Sequence, residues 1–323
     1  MANARLIEQL DNAVEGILAS RGGVLPSVNE SVDPLLRIAA ELRNLPSQEF
    51  KARLKSDLER STFMTRTAVK PVREGFHTIT PYLIVKEAAE LIDFVKQAFG
   101  ADELYRGTGS AGGIHAEVKI GDSIVMMGGG PALNRASNPT GIHLYVEDAD
   151  AVYERALQAG ATSMYGPVDQ VYGDREAGVK DLSGNHWYIA THKATGHAPE
   201  GLRTVTPFLH PRGADRMIHF LKEAFGAEEE SRAQSPDGII HHATMKIGDS
   251  VIEMGEARGE WQPMATTVFM YVDDVDSLYR RAVAAGAVSE SVPADQPYGD
   301  RVAGVTDPFD NLWYIATHIR DVA

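Results

Sequence analysis

Three short stretches set histidines among alternating polar positions. They are His115-Ala116-Glu117, His143-Leu144-Tyr145, and His186 to His192 with Tyr188 between them. Alternate residues of a β-strand share one face. Ala116, Val118, Ile120, Ile142 and Leu144 then form apolar sets suited to packing on helices. The other face collects His115, Glu117, His143, Tyr145, His186, Tyr188 and His192. Two chemistries fit such a set. Imidazoles titrate near working pH and serve acid–base catalysis. Two neutral imidazoles and one carboxylate, converging at about 2.0–2.2 Å, would hold a divalent metal such as Fe, Mn, Ni or Zn. The combination expected for a metal is His143 with His192 or His115, plus Glu117. The bland alternative is that each histidine is a hydrogen-bonded strand residue, with His192 facing solvent at its strand end. The catalytic candidates are His143, His192, Glu117, Tyr145 and Tyr188. Tyr82, His115, His186, His242, Phe269 and Tyr271 are the candidates for holding a ligand.

These strands lie in a repeat. Tyr172 to His192 and Tyr298 to His318 match at 15 of 21 positions, at an offset of 126. The match extends back through TITPYLIV and TVTPFLHP, QAFGADE and EAFGAEE, and KIGDS at Lys119 and Lys246, where the offset slips to 127. Two copies are expected at 76–197 and 202–320, behind a helical region and linker at 1–75. In that region Leu6, Leu10, Val14 and Ile17 have helical spacing, Pro34 suits a second helix start, and Phe50 and Leu54 mark a third. Each copy reads as strand, helix, three strands, twice. In the first copy the strands are expected at Thr78–Val85, near Leu104, at His115–Ile120, Ser123–Met127 and Ile142–Val146, near Ser163, and at Ala177–Lys180 and His186–His192. Helices are expected at Glu87–Phe99 and Ala149–Ala159. Gly121-Asp122 suits a type II′ hairpin. The class is α+β.

The copies differ where chemistry is expected. His143 is matched by Phe269, His186 by Leu312, Glu117 by Thr244, and Met126 by Glu253; His115 and His192 recur as His242 and His318. Counting from the Gly248-Asp249 turn sets Glu253 opposite Thr244 and diagonal to His242. The first copy is therefore expected to hold the richer polar site and the second a greasier one. Tyr172-Gly173-Asp174-Arg175, repeated at 298–301, reads first as a structural turn, with substrate gating by the tyrosine and arginine as the alternative, and Trp187 and Trp313 read as core.

The chain has 323 residues and a net charge of −14; residues 1–75 carry 11 basic and 10 acidic side chains, so the acidity belongs to the copies. Acidity disfavours nucleic acid or an anionic membrane as partner. No run approaches a membrane span. There is no cysteine, which removes disulfides, thiolate metal sites and cysteine nucleophiles. A cytoplasmic location fits.

The runs TPYLIV, FVKQAFGADELYR, GGIHAEVKIGDSIVMM, HLYVEDADAVYERALQAGA and YGDREAGVKDLSGNHWYIATH, with their second-copy partners, resemble the vicinal oxygen chelate superfamily. That group includes glyoxalase I, bleomycin resistance proteins and extradiol dioxygenases; the likeness is strongest to its PhnB-like branch. It spans roughly 240 residues. The resemblance implies tandem domains, each of two βαβββ units curled around a cavity, and an internal pseudo-dimer, with homo-oligomers also open. Pairing of units within a copy and across copies both fit the sequence. The superfamily's metal positions fall near Thr80, Met126, Gly141 and Tyr188 in the first copy. In the second they fall near Thr206, Glu253, Thr267 and Tyr314, of which only Glu253 could ligate. The functional expectation is an enzyme acting on a small organic molecule by lyase, isomerase or ring-cleaving chemistry. The rival is a metal-free protein that sequesters a cationic or aromatic toxic compound.

Overall fold

The structure is a computed structural model that describes residues 69–322, except 110–111, 131–138 and 260. The helices expected near Leu6, Pro34 and Phe50 lie outside the described residues. Val69 onward forms one compact unit.

The first copy runs β1 (Ile79–Val85), α1 (Ala88–Phe99), β2 (Asp102–Thr108), β3 (Ile114–Ile120) and β4 (Ser123–Gly129). It continues with β5 (Gly141–Tyr145), α2 (Ala149–Gln158), β6 (Thr162–Asp169), β7 (Asp174–Lys180) and β8 (His186–His192). The second copy repeats this as β9 (Val205–Leu209), α3 (Ala214–Phe225), β10 (Glu228–Gln234), β11 (Ile240–Ile247) and β12 (Ser250–Met254). Then follow β13 (Thr267–Tyr271), α4 (Val275–Ala284), β14 (Val288–Asp295), β15 (Asp300–Thr306) and β16 (Leu312–His318).

The units pair across the copies. One sheet has the order β14-β15-β16-β13-β1-β4-β3-β2, the other β10-β11-β12-β9-β5-β8-β7-β6. The seams are antiparallel: β1 meets β13 with Ile79 opposite Met270, and β5 meets β9 with Leu144 opposite Val205. Each concave face is therefore shared by both copies, so neither copy curls around a cavity of its own. Reciprocal clamps hold this exchange. The Asp122 carboxylate, on the β3–β4 turn, accepts from Thr204 N at 2.9 Å, and Asp249, on the β11–β12 turn, accepts from Thr78 N at 2.8 Å. Gly121 supplies the positive φ of 58° that the turn requires.

The cores follow the copies rather than the sheets. Ala116, Val118, Ile142 and Leu144 pack with Leu91, Val95 and Trp187 beneath α1 and α2; Met245, Met254, Val268 and Trp313 pack with Leu221 and Phe225 beneath α3 and α4. Val205 enters the first core and Ile79 the second, a reciprocal exchange that ties the copies together. Asp148 caps α2 by accepting from Ala151 N at 3.0 Å, and Asp274 caps α4 likewise through Ser277 N. The alternation read from sequence holds: one face of each central strand enters a core and the other turns to a concave face. No helix among the described residues is long and apolar enough to cross a membrane.

Candidate functional site

The concave face of the β5–β12 sheet encloses a cavity of about 890 Å³. Its floor comes from three strands. β5 presents His143 and Tyr145, β7 presents Asp174 and Glu176, and β12 presents Glu253; Ile142, Leu144, Ala177, Val179, Ile252 and Met254 turn to the cores. His143 is 5% exposed, Glu176 6% and Glu253 1%, so three ionisable groups share one buried floor.

His143 lies between the two carboxylates. Its Nδ1 is 2.9 Å from Glu253 Oε2, and its Nε2 is 3.4 Å from Glu176 Oε2. The second approach is an ion pair without hydrogen-bond geometry, so Nε2 is buried with no hydrogen-bond partner. Burial alone would lower the imidazole's pKa. The facing Glu253 and Glu176 outweigh it and raise His143 to about 10. Burial likewise works against the Glu253 carboxylate, but His143 and then His242 hold it down at about 2. Glu176 is also held below the carboxylate range, against its burial, by His143 and by two tyrosines. At neutral pH this trio is thus one imidazolium between two carboxylates, with net charge −1, and the Asp174–His192 pair stands beside it.

Neighbouring side chains lock the carboxylates. Tyr165 donates to Glu176 Oε1 at 2.6 Å and Tyr172 to Glu176 Oε2 at 3.0 Å. His242 Nε2 lies 3.1 Å from Glu253 Oε1, and Tyr145 donates to the same oxygen at 3.4 Å. Thr244 pairs with Glu253 across β11 and β12, the register counted from the turn. Tyr165 reaches Glu176 by crossing Gly178: a Cβ there would lie 2.4 Å from the tyrosine ring. The walls are aromatic. Tyr188 sits 5.3 Å from Phe208 and 5.9 Å from Trp261, between ring centroids. The Tyr188 hydroxyl lies 2.8 Å from His210 Nε2; burial, then His186, lower the pKa of His210 to about 4, so the ring is neutral at pH 7. His210 also stacks on Trp261, with 5° between the planes.

The sequence-selected residues divide between the two sheets. His143, Tyr145, Tyr188, His192 and His242 line this cavity, and His186 stands beside Tyr188 with 6.4 Å between ring centroids. Tyr82, His115, Glu117, Phe269 and Tyr271 lie on the other sheet. The proposed metal set therefore does not converge. His115 and Glu117 are on β3 and His143 on β5, and cross-copy pairing sends those strands to different sheets. His192 instead turns its Nδ1 to Asp174 at 2.5 Å. Among the described residues no three His, Asp or Glu side chains are placed to hold one metal ion. The expected assignment of the polar site to the first copy is also corrected, since Glu253, His242 and Phe208 come from the second.

Glu176, Tyr165, His210 and Trp261 do not stand out in the sequence, whereas Tyr172, the gating alternative of the YGDR run, does line the cavity. Glu176 had a signal: YGDREAG in one copy is YGDRVAG in the other, and β7 begins at Asp174 rather than Ala177. On the other sheet the places of His143, Glu176 and Glu253 are taken by Phe269, Val302 and Met126. A smaller depression of about 420 Å³ lies over the hairpin clamps, where Arg203 pairs with Asp249 at 3.3 Å.

Comparison with known proteins agrees with this architecture. Two uncharacterised mycobacterial proteins are each 42% identical to this chain over 122 residues, which is 34% of the chain. The match covers 80% of the relative from Mycobacterium bovis and 72% of that from Mycobacterium tuberculosis. Glyoxalase I from Zea mays superposes with a TM-score of 0.57 at 15% identity, covering 74% of this chain and 92% of that one. A putative dioxygenase from Bacillus subtilis superposes at 0.51 and 16%, covering 75% and 85%. At these identities the likeness is one of fold. The model of the Glyoxalase/Bleomycin resistance protein/Dioxygenase superfamily matches residues 75–189 and 209–315, and the chain belongs to that superfamily.

Proposed function

We propose that the chain binds a small aromatic molecule bearing a positive charge, in the cavity of the β5–β12 sheet. The observation that carries this is the buried trio of one imidazolium and two carboxylates, itself net −1, on the floor beneath aromatic walls. A cation gains from that charge and from the ring faces of Tyr188, Phe208 and Trp261. In this reading Glu176 and Glu253 attract the charge, and His143 keeps both ionised in a buried place. The acidic chain, at −14, draws cations from a distance. The test compares phenyltrimethylammonium with tert-butylbenzene, its uncharged isostere, by calorimetric titration. The cation should bind about tenfold tighter at low salt, and salt should erode the difference. Equal affinities would sink the proposal.

One observation favours a second, enzymatic reading. The His143 Nε2–H group is buried without a hydrogen-bond partner. It could donate to a substrate oxygen on which negative charge develops, as a lyase or isomerase requires. With its pKa raised to about 10, His143 is a poor base at pH 7, so its part would be electrostatic. Turnover of any substrate should then fall in His143→Gln by far more than binding does; parallel losses would count against catalysis.

A further inference from the structure

The concave face of the β1–β16 sheet is occupied by its own chain. Just before β1, Phe76 packs edge-on against Tyr271 with centroids 5.6 Å apart, and the Arg73 guanidinium stacks 4.1 Å above the Phe76 ring. Arg73 also forms an ion pair with Glu117, a carboxylate only 6% exposed. Phe76 and Val72 join Met126, Phe269, Tyr271 and Val302 in one cluster.

The segment before β9 follows the same backbone path. Gly75 and Gly201 have φ of 83° and 87°. Phe76 N donates to Arg73 O at 3.0 Å, and Leu202 N to Pro199 O at 3.1 Å. His318 N donates to Pro71 O, and His192 N to His197 O, both at 2.8 Å. Only the side chains differ. Arg73 is matched by Pro199 and Phe76 by Leu202, while Glu117 is matched by Thr244. The second segment borders its cavity, through Pro199 and Leu202, and leaves it open. The cation, the ring and the buried carboxylate are thus present together on one side and absent together on the other. The backbone path needs none of them.

We infer that Arg73 and Phe76 act as a tethered ligand. They occupy a second binding site, built on Glu117, Met126, Phe269 and Tyr271, whose guest is a guanidinium or amidinium group held next to an aromatic ring. Such a guest enters by displacing the segment that precedes β1. A buried carboxylate must be paired; Arg73 pairs Glu117 through one guanidinium nitrogen on Oε2, while His115 Nε2 stands 3.6 Å from Oε1, and an external guanidinium could take the place of Arg73. The site shares no floor residue with the β5–β12 cavity, so it stands apart from the function proposed above.

The probe is Nα-benzoyl-L-arginine amide, titrated by calorimetry into the full chain. The Arg73→Ala/Phe76→Ala variant should bind one equivalent at least about tenfold tighter than the parent, and adding Glu117→Gln should weaken that by about tenfold or more. In the parent, saturating probe should speed amide hydrogen exchange across residues 70–77. A folded double variant that binds no probe overturns the inference, as does binding indifferent to Glu117→Gln. Should the double variant fail to fold, Phe76→Ala keeps the Arg73–Glu117 pair and serves in its place. Unchanged exchange at 70–77 with probe bound to the parent would then reject displacement.

Discussion

The two concave faces are built on one frame and hold opposite chemistry. Tyr145 and Tyr271 match, as do Asp174 and Asp300, and His192 and His318. Both histidines pair with the matching aspartate, at 2.5 and 2.7 Å. Trp187 and Trp313 each donate to an aspartate on the preceding turn, at 2.8 and 2.9 Å. Against that shared frame, three positions change as a set: His143, Glu176 and Glu253 face Phe269, Val302 and Met126. The set explains why the substitutions go together. A lone buried carboxylate or imidazolium is costly, whereas the complete trio or its apolar replacement is tolerable. Paired differences of this kind mark a functional floor better than the shared dyads do, since the dyads serve both faces alike.

The largest expected effect comes from breaking the trio at its centre. His143→Ala leaves Glu176 and Glu253 buried without their cation and should cost about 3–5 kcal/mol of stability, read from urea unfolding. Phe269→Ala, at the matching place, empties an apolar site and costs about 3–5 kcal/mol by a different route. The two are told apart by pH. Only the His143→Ala loss should shrink as acid protonates the stranded carboxylates.

Transplanting the apolar set is the sharper test. His143→Phe/Glu176→Val/Glu253→Met should regain most of what His143→Ala loses, because ion networks are often replaced by apolar groups at little cost. Tyr145 would keep Asp174 nearby, as Tyr271 keeps Asp300 at 2.8 Å. Preference for phenyltrimethylammonium over tert-butylbenzene should vanish in the transplant. Retained preference would place the recognised charge elsewhere.

The same transplant isolates a pH signature. His143 has its folded pKa raised to about 10 from 6.5, so its stabilisation is complete below 6.5 and fades as pH rises through 10. Glu253 has its folded pKa lowered to about 2 from 4.5, so its contribution is complete above 4.5 and fades as pH falls through 2. The parent's stability relative to the transplant should therefore peak between about pH 4.5 and 6.5 and decline on both sides. A difference that stays flat from pH 5 to 10 would contradict an imidazolium on the floor.

Much of this was legible locally. Alternation located the central strands and their buried faces, and Gly100 and Gly226, with φ of 68° and 70°, end α1 and α3 as glycines at helix ends do. Sheet partnership was not legible, because it depends on which strand lies beside β1 and β5, and those contacts span more than sixty residues of sequence. That one unknown redistributed the histidines: His115 and His143 share a face in alternation but not a sheet. Glu253 and His143 were visible as differences between copies. Their 2.9 Å contact was not, since it crosses the seam from one copy to the other. Arg73 lay in a stretch without periodicity, and nothing local tied it to Glu117.

The smallest effect tests one atom on each face. Gly178 and Gly304 occupy matching places on β7 and β15, opposite Tyr165 and Ser291. Neither has a positive φ, so alanine fits both backbones and by itself would stabilise each by about 0.4–1 kcal/mol. At Gly304 the new methyl meets the Ser291 hydroxyl at 3.0 Å, a small group that can turn aside. At Gly178 it meets the Tyr165 ring at 2.4 Å, and the ring must leave. Departure breaks the 2.6 Å bond to Glu176, worth about 1.5–3 kcal/mol for a charged acceptor, which exceeds the backbone gain. Gly304→Ala should then be neutral or mildly stabilising, while Gly178→Ala loses roughly 1 kcal/mol and weakens cation binding a few-fold. Equal effects of the two alanines would show that Tyr165 does nothing for the floor that Ser291 does not do on the other face.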